Sequence, residues 1–212
     1  MKKLQLVSIA AAAVACAGPA LAQQSPLYLG GGIGIAQHSI DTGNISRQLV
    51  DLGFLGATTS ASKDESAYKL SAGWQAHSNV AVEVSYFDLG KPDFNASSTR
   101  PGTFAAKLKV TGWSVDVVPQ YHFANGIGLL GRLGYARIET KTDFSGTGVF
   151  RPIESSTKER RNTWDAGAGV SYAINKNLSL RAEWTYFPDI GGDAVGGKYS
   201  ANMYTVSGFW RF

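Results

Sequence analysis

Residues 178–186 have the sequence LSLRAEWTY, in which apolar and polar side chains alternate at every step. One set consists of leucine, alanine and aromatic residues, and the other set consists of Ser179, Arg181, Glu183 and Thr185. Successive side chains of a β-strand point to opposite faces of its sheet. The segment is therefore predicted to form a strand with one apolar face and one polar, charged face.

The same period of two recurs along most of the chain. Eight strands are predicted in all, at residues 27–36, 67–75, 80–87, 109–121, 127–138, 163–174, 178–187 and 199–212. A chain of 212 residues is long enough for one ordinary domain. The pattern therefore predicts a single all-β domain.

The connections between the predicted strands alternate between long and short. The short ones are residues 76–79, 122–126 and 175–177, and the long ones are residues 37–66, 88–108, 139–162 and 188–198. Outer-membrane barrels have short turns in the periplasm and longer loops outside the cell. The alternation predicts an eight-stranded antiparallel transmembrane β-barrel with four surface loops.

The two predicted faces of the strands support a barrel in a membrane. All five tryptophans lie on the apolar face, most of them near strand ends, where their rings can rest at the level of lipid headgroups. The opposite face holds glycine, serine and charged residues, and an eight-stranded barrel has room inside only for side chains. No open pore is expected. A soluble ligand-binding barrel has the same periodicity, but the tryptophans and the uneven loops favour the membrane.

The start of the chain is typical of a secretory signal peptide. Two lysines precede an apolar stretch, and residues 20–22, ALA, have the small-residue pattern of a cleavage site. We expect a removed signal peptide at residues 1–22 and a barrel domain at residues 23–212. The alternative is a lipoprotein signal with lipidated Cys16, although the segment before this cysteine lacks the usual leucine.

Charge and motif content exclude several classes of protein. The chain has 20 basic and 16 acidic residues, and 18 basic residues remain without the two lysines of the signal peptide. This near balance gives no reason to expect a nucleic-acid partner. The glycine-rich residues 30–34 lie inside a predicted strand, so they do not form a nucleotide-binding loop. Because no spacing typical of metal ligands is present, we expect neither a metal nor another cofactor.

Three stretches are distinctive enough to suggest a family. They are YKLSAGW at residues 68–74, VAVEVSYFDLG at residues 80–90 and LSLRAEWTY at residues 178–186. With these stretches, residues 27–212 resemble the OmpA-like family of eight-stranded outer-membrane barrels. The resemblance implies a location in the outer membrane of a Gram-negative envelope, among outer-membrane lipids and lipopolysaccharide. The peptidoglycan-binding domain of OmpA does not follow the barrel here, so cell-wall anchoring is not expected.

The last residues of the chain, GFWRF, also match this class of barrel. The resemblance implies that an aromatic terminus is recognised by the outer-membrane insertion machinery. Trp210 and Phe212 are therefore the expected assembly signal.

The predicted interior face carries charges of both signs. The cations are Lys69, Arg132 and Arg181, and the carboxylates are Glu83, Asp116, Asp165 and Glu183. An interior of low dielectric tolerates charge only when it is paired and hydrogen-bonded. These residues predict an ion-pair network that plugs the lumen, which the resemblance also implies for Glu83, Arg132, Arg181 and Glu183. The alternative is a gate whose pairs exchange partners to pass small ions.

Histidines raise the alternative of a lipid-A-modifying enzyme. His38 lies at the outer end of the first predicted strand, beside Ser39 and Asp41. Lipid-A acyltransferases and deacylases are barrels of this size that use histidine with serine or a carboxylate. Neighbouring strand residues point to opposite faces, however, so His38 and Ser39 do not pair through adjacency. His77 and His122 fall in predicted periplasmic turns, and we expect no catalytic residues.

Basic residues close the third long connection just above the predicted membrane. Lys158, Arg160 and Arg161 are candidates for contact with lipopolysaccharide phosphates, since arginine can hold phosphate through two hydrogen bonds. The alternative is a solvated loop base. The sequence therefore predicts a non-enzymatic outer-membrane barrel that contributes to envelope integrity and presents four surface loops. A surface adhesin or receptor that binds a ligand through the loops is the main alternative.

Overall fold

The computed structural model describes residues 25–39, 58–61, 64–97, 103–146, 155–192 and 197–212. Its strands are β1 (Leu27–His38), β2 (Thr58–Ala61), β3 (Asp64–His77), β4 (Val80–Asp88), β5 (Asp93–Ser97), β6 (Thr103–His122), β7 (Ile127–Gly146), β8 (Ser155–Ala173), β9 (Leu178–Gly192) and β10 (Gly197–Arg211). Among these residues, no helix is long and apolar enough to cross a membrane. The predicted signal peptide at residues 1–22 lies outside the described residues.

Eight of the strands form a closed antiparallel ring. Its order is β1, β3, β4, β6, β7, β8, β9 and β10, and β10 pairs with β1 to close it. The closing pair extends from Tyr28 opposite Arg211 to His38 opposite Ala201. Because the ring is closed, each of its strands pairs with a neighbour on both sides within the barrel wall, and no edge strand remains there. The predicted eight-stranded antiparallel barrel is confirmed.

The outward side chains of the ring are large, apolar and exposed. Each of the five tryptophans is at least 42% exposed, and so are leucine, isoleucine and valine side chains such as Ile33, Leu70 and Val206. A continuous apolar surface of this extent is unfavourable in water and stable in hydrocarbon. The predicted division of the strands into an outward apolar face and an inward face is confirmed.

The interior has three layers along the barrel axis. On β4 the inward residues follow the order Ala81, Glu83, Ser85 and Phe87 from the turn end to the loop end. An apolar cluster fills the turn end, with Tyr28, Ala81, Val118, Leu130 and Phe209. A larger one fills the loop end, with Ala36, Ala67, Phe87, Leu89, Val110, Ala136, Ile138, Phe187, Ile190, Tyr199, Ala201 and Met203. The prediction of a small, charged interior was therefore incomplete, because it holds only for the middle layer.

Three strands continue past the loop end of the barrel. β6, β7 and β8 remain paired beyond the rim, β5 pairs with the outer end of β6, and β2 pairs with β5. We call residues 58–61, 93–97, 103–111, 137–146 and 155–162 the outer sheet. It stands on one side of the barrel mouth.

The prediction of a long irregular connection at residues 139–162 was wrong for most of that segment. β7 continues to Gly146 and β8 begins at Ser155, so their pairing persists above the membrane. Side chains in this part keep the period of two, with Thr140 and Thr142 buried and Lys141 exposed. Such a polar segment still forms strands because water solvates its outward charges while β7 pairs with both β6 and β8.

The three predicted short turns are confirmed. They join β3 to β4, β6 to β7, and β8 to β9. In the second turn, Gly126 has a φ of 83°, a left-handed conformation that glycine adopts without strain. Asn125 Oδ1 accepts a hydrogen bond from the N–H of Ile127 in the same turn. These turns place the start of each following strand close to the end of the preceding one.

Ring closure is sensitive to side-chain volume at Gly34. A Cβ atom at this inward position of β1 would collide with the main-chain carbonyl of Tyr204 on β10. We expect Gly34→Ala to lower the free energy of unfolding by about 1 to 3 kcal/mol, the usual cost of overpacking. Unboiled samples on SDS gels should then contain less of the compact, heat-modifiable band than wild type. The outward Gly208→Ala is the control, since nothing lies within 4 Å of its added Cβ atom. Equal losses in both variants would contradict this account.

Candidate functional site

The seven charged residues predicted for the interior form the middle layer of the barrel. None is more than 6% exposed. They come from six strands: Lys69 from β3, Glu83 from β4, Asp116 from β6, Arg132 from β7, Asp165 from β8, and Arg181 and Glu183 from β9. Because six consecutive strands of the eight-stranded ring contribute to it, the charged layer links opposite walls of the barrel.

Arg132 is the centre of this layer. Its Nη1 donates to Asp116 Oδ2 at 2.6 Å, and its Nη2 donates to Glu83 Oε2 and to Glu183 Oε1, the latter at 3.1 Å. Ser114 Oγ donates to the same Asp116 oxygen at 2.9 Å. A planar guanidinium suits this arrangement because its donors diverge in one plane. One side chain thereby holds three carboxylates from β4, β6 and β9.

Glu83 is a second centre. Its Oε1 accepts hydrogen bonds from Arg181 Nη1 at 2.6 Å and from the Tyr28 hydroxyl at 2.7 Å. The guanidinium of Arg181 also lies 4.0 Å from the ring centroid of Phe209, an arrangement that stabilises a cation on an aromatic face. Glu183 completes the layer by accepting from Lys69 Nζ at 3.1 Å. Each of these carboxylates therefore contacts at least two donors.

Sequence reasoning missed the polar partners of the charges. Tyr28 binds Glu83, Ser114 binds Asp116, and the hydroxyls of Ser71 and Ser85 lie 2.9 Å apart within the same layer. Their position in the alternation identifies them as inward residues. Tyr28 was not selected because an aromatic residue near a strand end is also typical of the lipid-facing belt.

Asp165 differs from the other carboxylates. It is fully buried, and neither of its oxygens accepts a hydrogen bond from a residue that the structure describes. Across the sheet, Asp116 on β6, Gly134 on β7 and Asp165 on β8 stand side by side in register. Since Gly134 has no side chain, the two carboxyl groups face each other over it, and Asp116 Oδ1 also lacks a donor. The layer thus holds three cations and four carboxyl groups, and Asp165 faces another carboxyl group rather than a cation.

The geometry favours a closed interior. The charged layer lies between two apolar clusters, which limit the access of water to it, and of its seven residues Arg181 lines a pocket at the turn end. In such surroundings a charge that loses its partner has no solvent to replace it. Among the described residues, no group of three or more histidine, cysteine or carboxylate side chains could hold a metal ion. The charged layer can therefore hold six strands together by charge-assisted hydrogen bonds.

His38 does not stand beside a nucleophile of the described chain. Its ring is 2% exposed, with Nε2 2.9 Å from the carbonyl oxygen of Leu89 and an edge-to-face contact with Tyr199. Ser39 is exposed. Asp41, the third residue considered with them, lies outside the described residues. His77 and His122 are exposed at the turn end, as expected from the sequence.

Trp210 and Phe212, the expected assembly signal, belong to the outward set at the turn end. Trp210 is 50% and Phe212 is 38% exposed, and the N–H of Phe212 donates to the carbonyl of Leu27 at 3.3 Å. Both rings are therefore accessible from the lipid side. Their recognition by the insertion machinery stays a prediction.

The three basic residues expected to contact lipopolysaccharide do not share a face. Lys158 and Arg160 point outward from β8 and are exposed, and both bind Glu139, at 2.7 and 2.9 Å. Arg161 lies on the other face of β8. It pairs with the buried Ile138 of β7 and points toward the inner side of the outer sheet. Only Lys158 and Arg160 are therefore available to the surrounding lipid.

A closed antiparallel barrel with an apolar, tryptophan-rich exterior and a charged interior defines a transmembrane barrel of the bacterial outer membrane. The chain belongs to the outer membrane protein beta-barrel domain family, whose model matches residues 8–212. The outer membrane is accordingly its location. No curated protein sequence matches it.

Solved structures show the same fold. Neisserial surface protein A is 16% identical, with a TM-score of 0.51 over 90% of this chain and 100% of that chain. The N-terminal β-barrel domain of Pseudomonas aeruginosa OprF is 12% identical, with a TM-score of 0.52 over the same shares of the two chains. Identities this low support the fold and leave the role to be argued from this chain.

The interior network makes barrel stability dependent on Glu83. In Glu83→Gln, the amide keeps the volume but cannot neutralise Arg132 and Arg181, so buried cations lose a partner. We expect a fall of about 3 kcal/mol in the free energy of unfolding, as for other broken buried pairs. The measurement is guanidinium unfolding of the reconstituted barrel, followed by tryptophan fluorescence. An unchanged midpoint would show that Glu83 does not support the network.

Replacing the carboxyl group of Asp165 by an amide should not destabilise the barrel, in contrast to the same replacement at Glu83. In Asp165→Asn, the carboxyl group that faces Asp116 becomes an amide of nearly the same size, and this amide can donate to Asp116 Oδ1. We expect the free energy of unfolding to stay unchanged or to rise by about 1 kcal/mol, the worth of one hydrogen bond. The same unfolding experiment compares it directly with Glu83→Gln. If both variants lose stability equally, Asp165 supports the network in the same way as Glu83 and this expectation is wrong.

Proposed function

We propose that this protein is a non-enzymatic structural barrel of the outer membrane, which contributes to envelope integrity and presents its loops at the cell surface. The observation that carries the proposal is the filled interior: ion pairs occupy the middle and apolar clusters cover both of their sides. A barrel closed in this way adds a rigid, impermeable element to the membrane.

The packing supports a plug over a gate. Passage of an ion would require Arg132 to release three carboxylates, and the apolar clusters at both ends to part. Removing one partner of a buried pair costs about 3 to 5 kcal/mol unless a replacement is at hand.

The surroundings of His38 support a non-enzymatic role. A histidine that acts as a general base must reach the proton it removes, directly or through one water molecule. The ring of His38 is enclosed by the loop-end cluster, and its Nε2 is engaged by a backbone carbonyl. Its position therefore corresponds to a packed interior residue.

A second candidate function is surface binding, and the outer sheet favours it. β8 pairs with β9 only from Ala166 onward, so residues 155–162 of the outer sheet have a partner strand on one side alone within the described residues. β2 ends the sheet on the other side. Unpaired strand edges can accept an additional strand from another protein. An adhesin or receptor role would use these edges together with the loops.

Deletion and complementation distinguish the two candidates. Cells that lack the protein should take up more of a hydrophobic fluorescent dye, because an impermeable element of the membrane is missing. Wild type should reverse this effect, and so should a variant in which residues 147–154 are replaced by Asn-Gly, since the barrel is retained. Unchanged dye uptake in the deletion strain would contradict the structural role. Failure of the folded loop variant to restore the barrier would show that the barrel alone is not sufficient for the structural role, and an altered lipid-A mass in the deletion strain would favour an enzyme.

A further inference from the structure

The outward side of the outer sheet is strongly basic where it leaves the membrane. Six cations and two carboxylates of β6, β7 and β8 are presented there: Lys107, Lys109, Arg137, Lys141, Lys158 and Arg160 with Glu139 and Asp143. We call these residues the basic face. The six cations are exposed. The face carries an excess of four positive charges, whereas the whole chain is close to neutral after the signal peptide.

Three lysines of the basic face stand in one row. Lys109 on β6 is directly opposite Lys141 on β7, which is directly opposite Lys158 on β8. Like charges directly opposite one another destabilise a sheet. Asp143 pairs with Lys141 at 3.5 Å, and Glu139 pairs with Lys158 at 2.7 Å, but neither reaches Lys109. Within the part of the chain that the structure describes, the row therefore has room for an additional anion beside Lys109.

Glu139 organises the lower part of the basic face. Its carboxylate accepts hydrogen bonds from Lys158 and from Arg160 Nε, and these bonds hold the pKa of Glu139 below its ordinary value. Glu139 therefore remains ionised at neutral pH and fixes two cations of β8. Arg137 has no such internal partner among the described residues, so its guanidinium is available to a ligand.

A surface pocket joins the basic face to the aromatic belt. Its lining consists of Tyr86, Thr111, Gly112, Trp113, Arg137, Glu139 and Arg160. Trp113 stands directly opposite Arg137 in the register of β6 and β7. Tyr86 and Trp113 are 54% and 43% exposed on the lipid-facing side. Aromatic rings and two guanidinium groups thus meet at the level of the lipid headgroups.

We propose that this pocket and the basic face bind the phosphorylated sugar headgroup of an outer-leaflet glycolipid. Arg137 holds a phosphate through paired N–H donors, since a guanidinium matches the oxygens of that group. The aromatic rings take the apolar face of a sugar. The row of lysines holds a second phosphate farther from the membrane. The acyl chains then continue along the outward apolar surface below Trp113, which a free phosphate or a soluble peptide would leave unused.

The inference rests on the outer-membrane location and is independent of the proposed structural role. Among the residues expected from sequence to contact lipopolysaccharide, it retains Lys158 and Arg160. It adds Arg137 and Lys109 from neighbouring strands, and Arg161 has no part in it. The residues that would bind lipid therefore come from three strands rather than from one loop base.

The test measures binding of bisphosphorylated lipid A to the purified barrel in detergent by native mass spectrometry. Arg137→Gln removes the central phosphate ligand, and we expect its apparent Kd to rise by about tenfold, the factor for one charge-assisted contact. Lys109→Gln should weaken binding in the same direction. Lys176→Gln is the matched control, since it removes one exposed positive charge at the opposite, turn end of the barrel. Unboiled gel mobility verifies that each variant is folded.

Several results would overturn the proposal. One is wild-type affinity in both Arg137→Gln and Lys109→Gln, and another is an equal loss in Lys176→Gln, which would indicate a general effect of net charge. Lipid A without phosphates should bind the wild type about tenfold more weakly, so equal affinity would remove the role of phosphate. Equally effective competition by phosphatidylglycerol would indicate a site for any anionic lipid. None of these results depends on the dye-uptake phenotype of the deletion strain.

Discussion

The backbone of a membrane barrel must satisfy its own hydrogen bonds, because hydrocarbon offers no partner for an N–H or carbonyl group. In this protein the pairing of β10 with β1 completes that requirement. Once the ring is closed, every second side chain is directed into a narrow lumen and the others into lipid. The composition of both faces follows from this constraint. Apolar and aromatic residues can occupy the outward positions, and inward positions must fill a space too small for bulk water.

The charged layer is the most demanding consequence of closure. A charge inside the ring cannot be solvated, so Arg132 and Glu83 are each bound by several partners from different walls. Gly134 leaves the space in which Asp116 and Asp165 face each other. The apolar clusters above and below make the pairs harder to exchange. The stability of the barrel and its proposed structural role therefore both follow from one packed interior.

The outside of the barrel changes character where hydrocarbon ends. Below the rim, outward residues are apolar, and the aromatic belt includes Trp113 and Trp164. Above the rim, the same outward positions of β6, β7 and β8 carry charges. The strands do not end at this boundary, since water can solvate the outer sheet and the backbone remains paired. This continuity brings basic residues next to belt aromatics, where the surface has the chemistry of a phosphorylated glycolipid headgroup.

Alternation alone determined the fold class, the eight strands, the short turns and which residues face inward. These properties are local, because a period of two and a turn residue are visible within a few positions. The tertiary structure alone decided that Arg132 binds Glu83 and Asp116, since partners in the lumen depend on the register and width of the ring. It also decided that residues 139–146 and 155–162 are strands. Their polarity in sequence resembles that of a loop, and only pairing with neighbours orders them. Strand register likewise placed Arg137 beside Trp113 and placed Arg161 on the face that does not carry the basic residues. A shift of one residue would exchange the two faces of a strand.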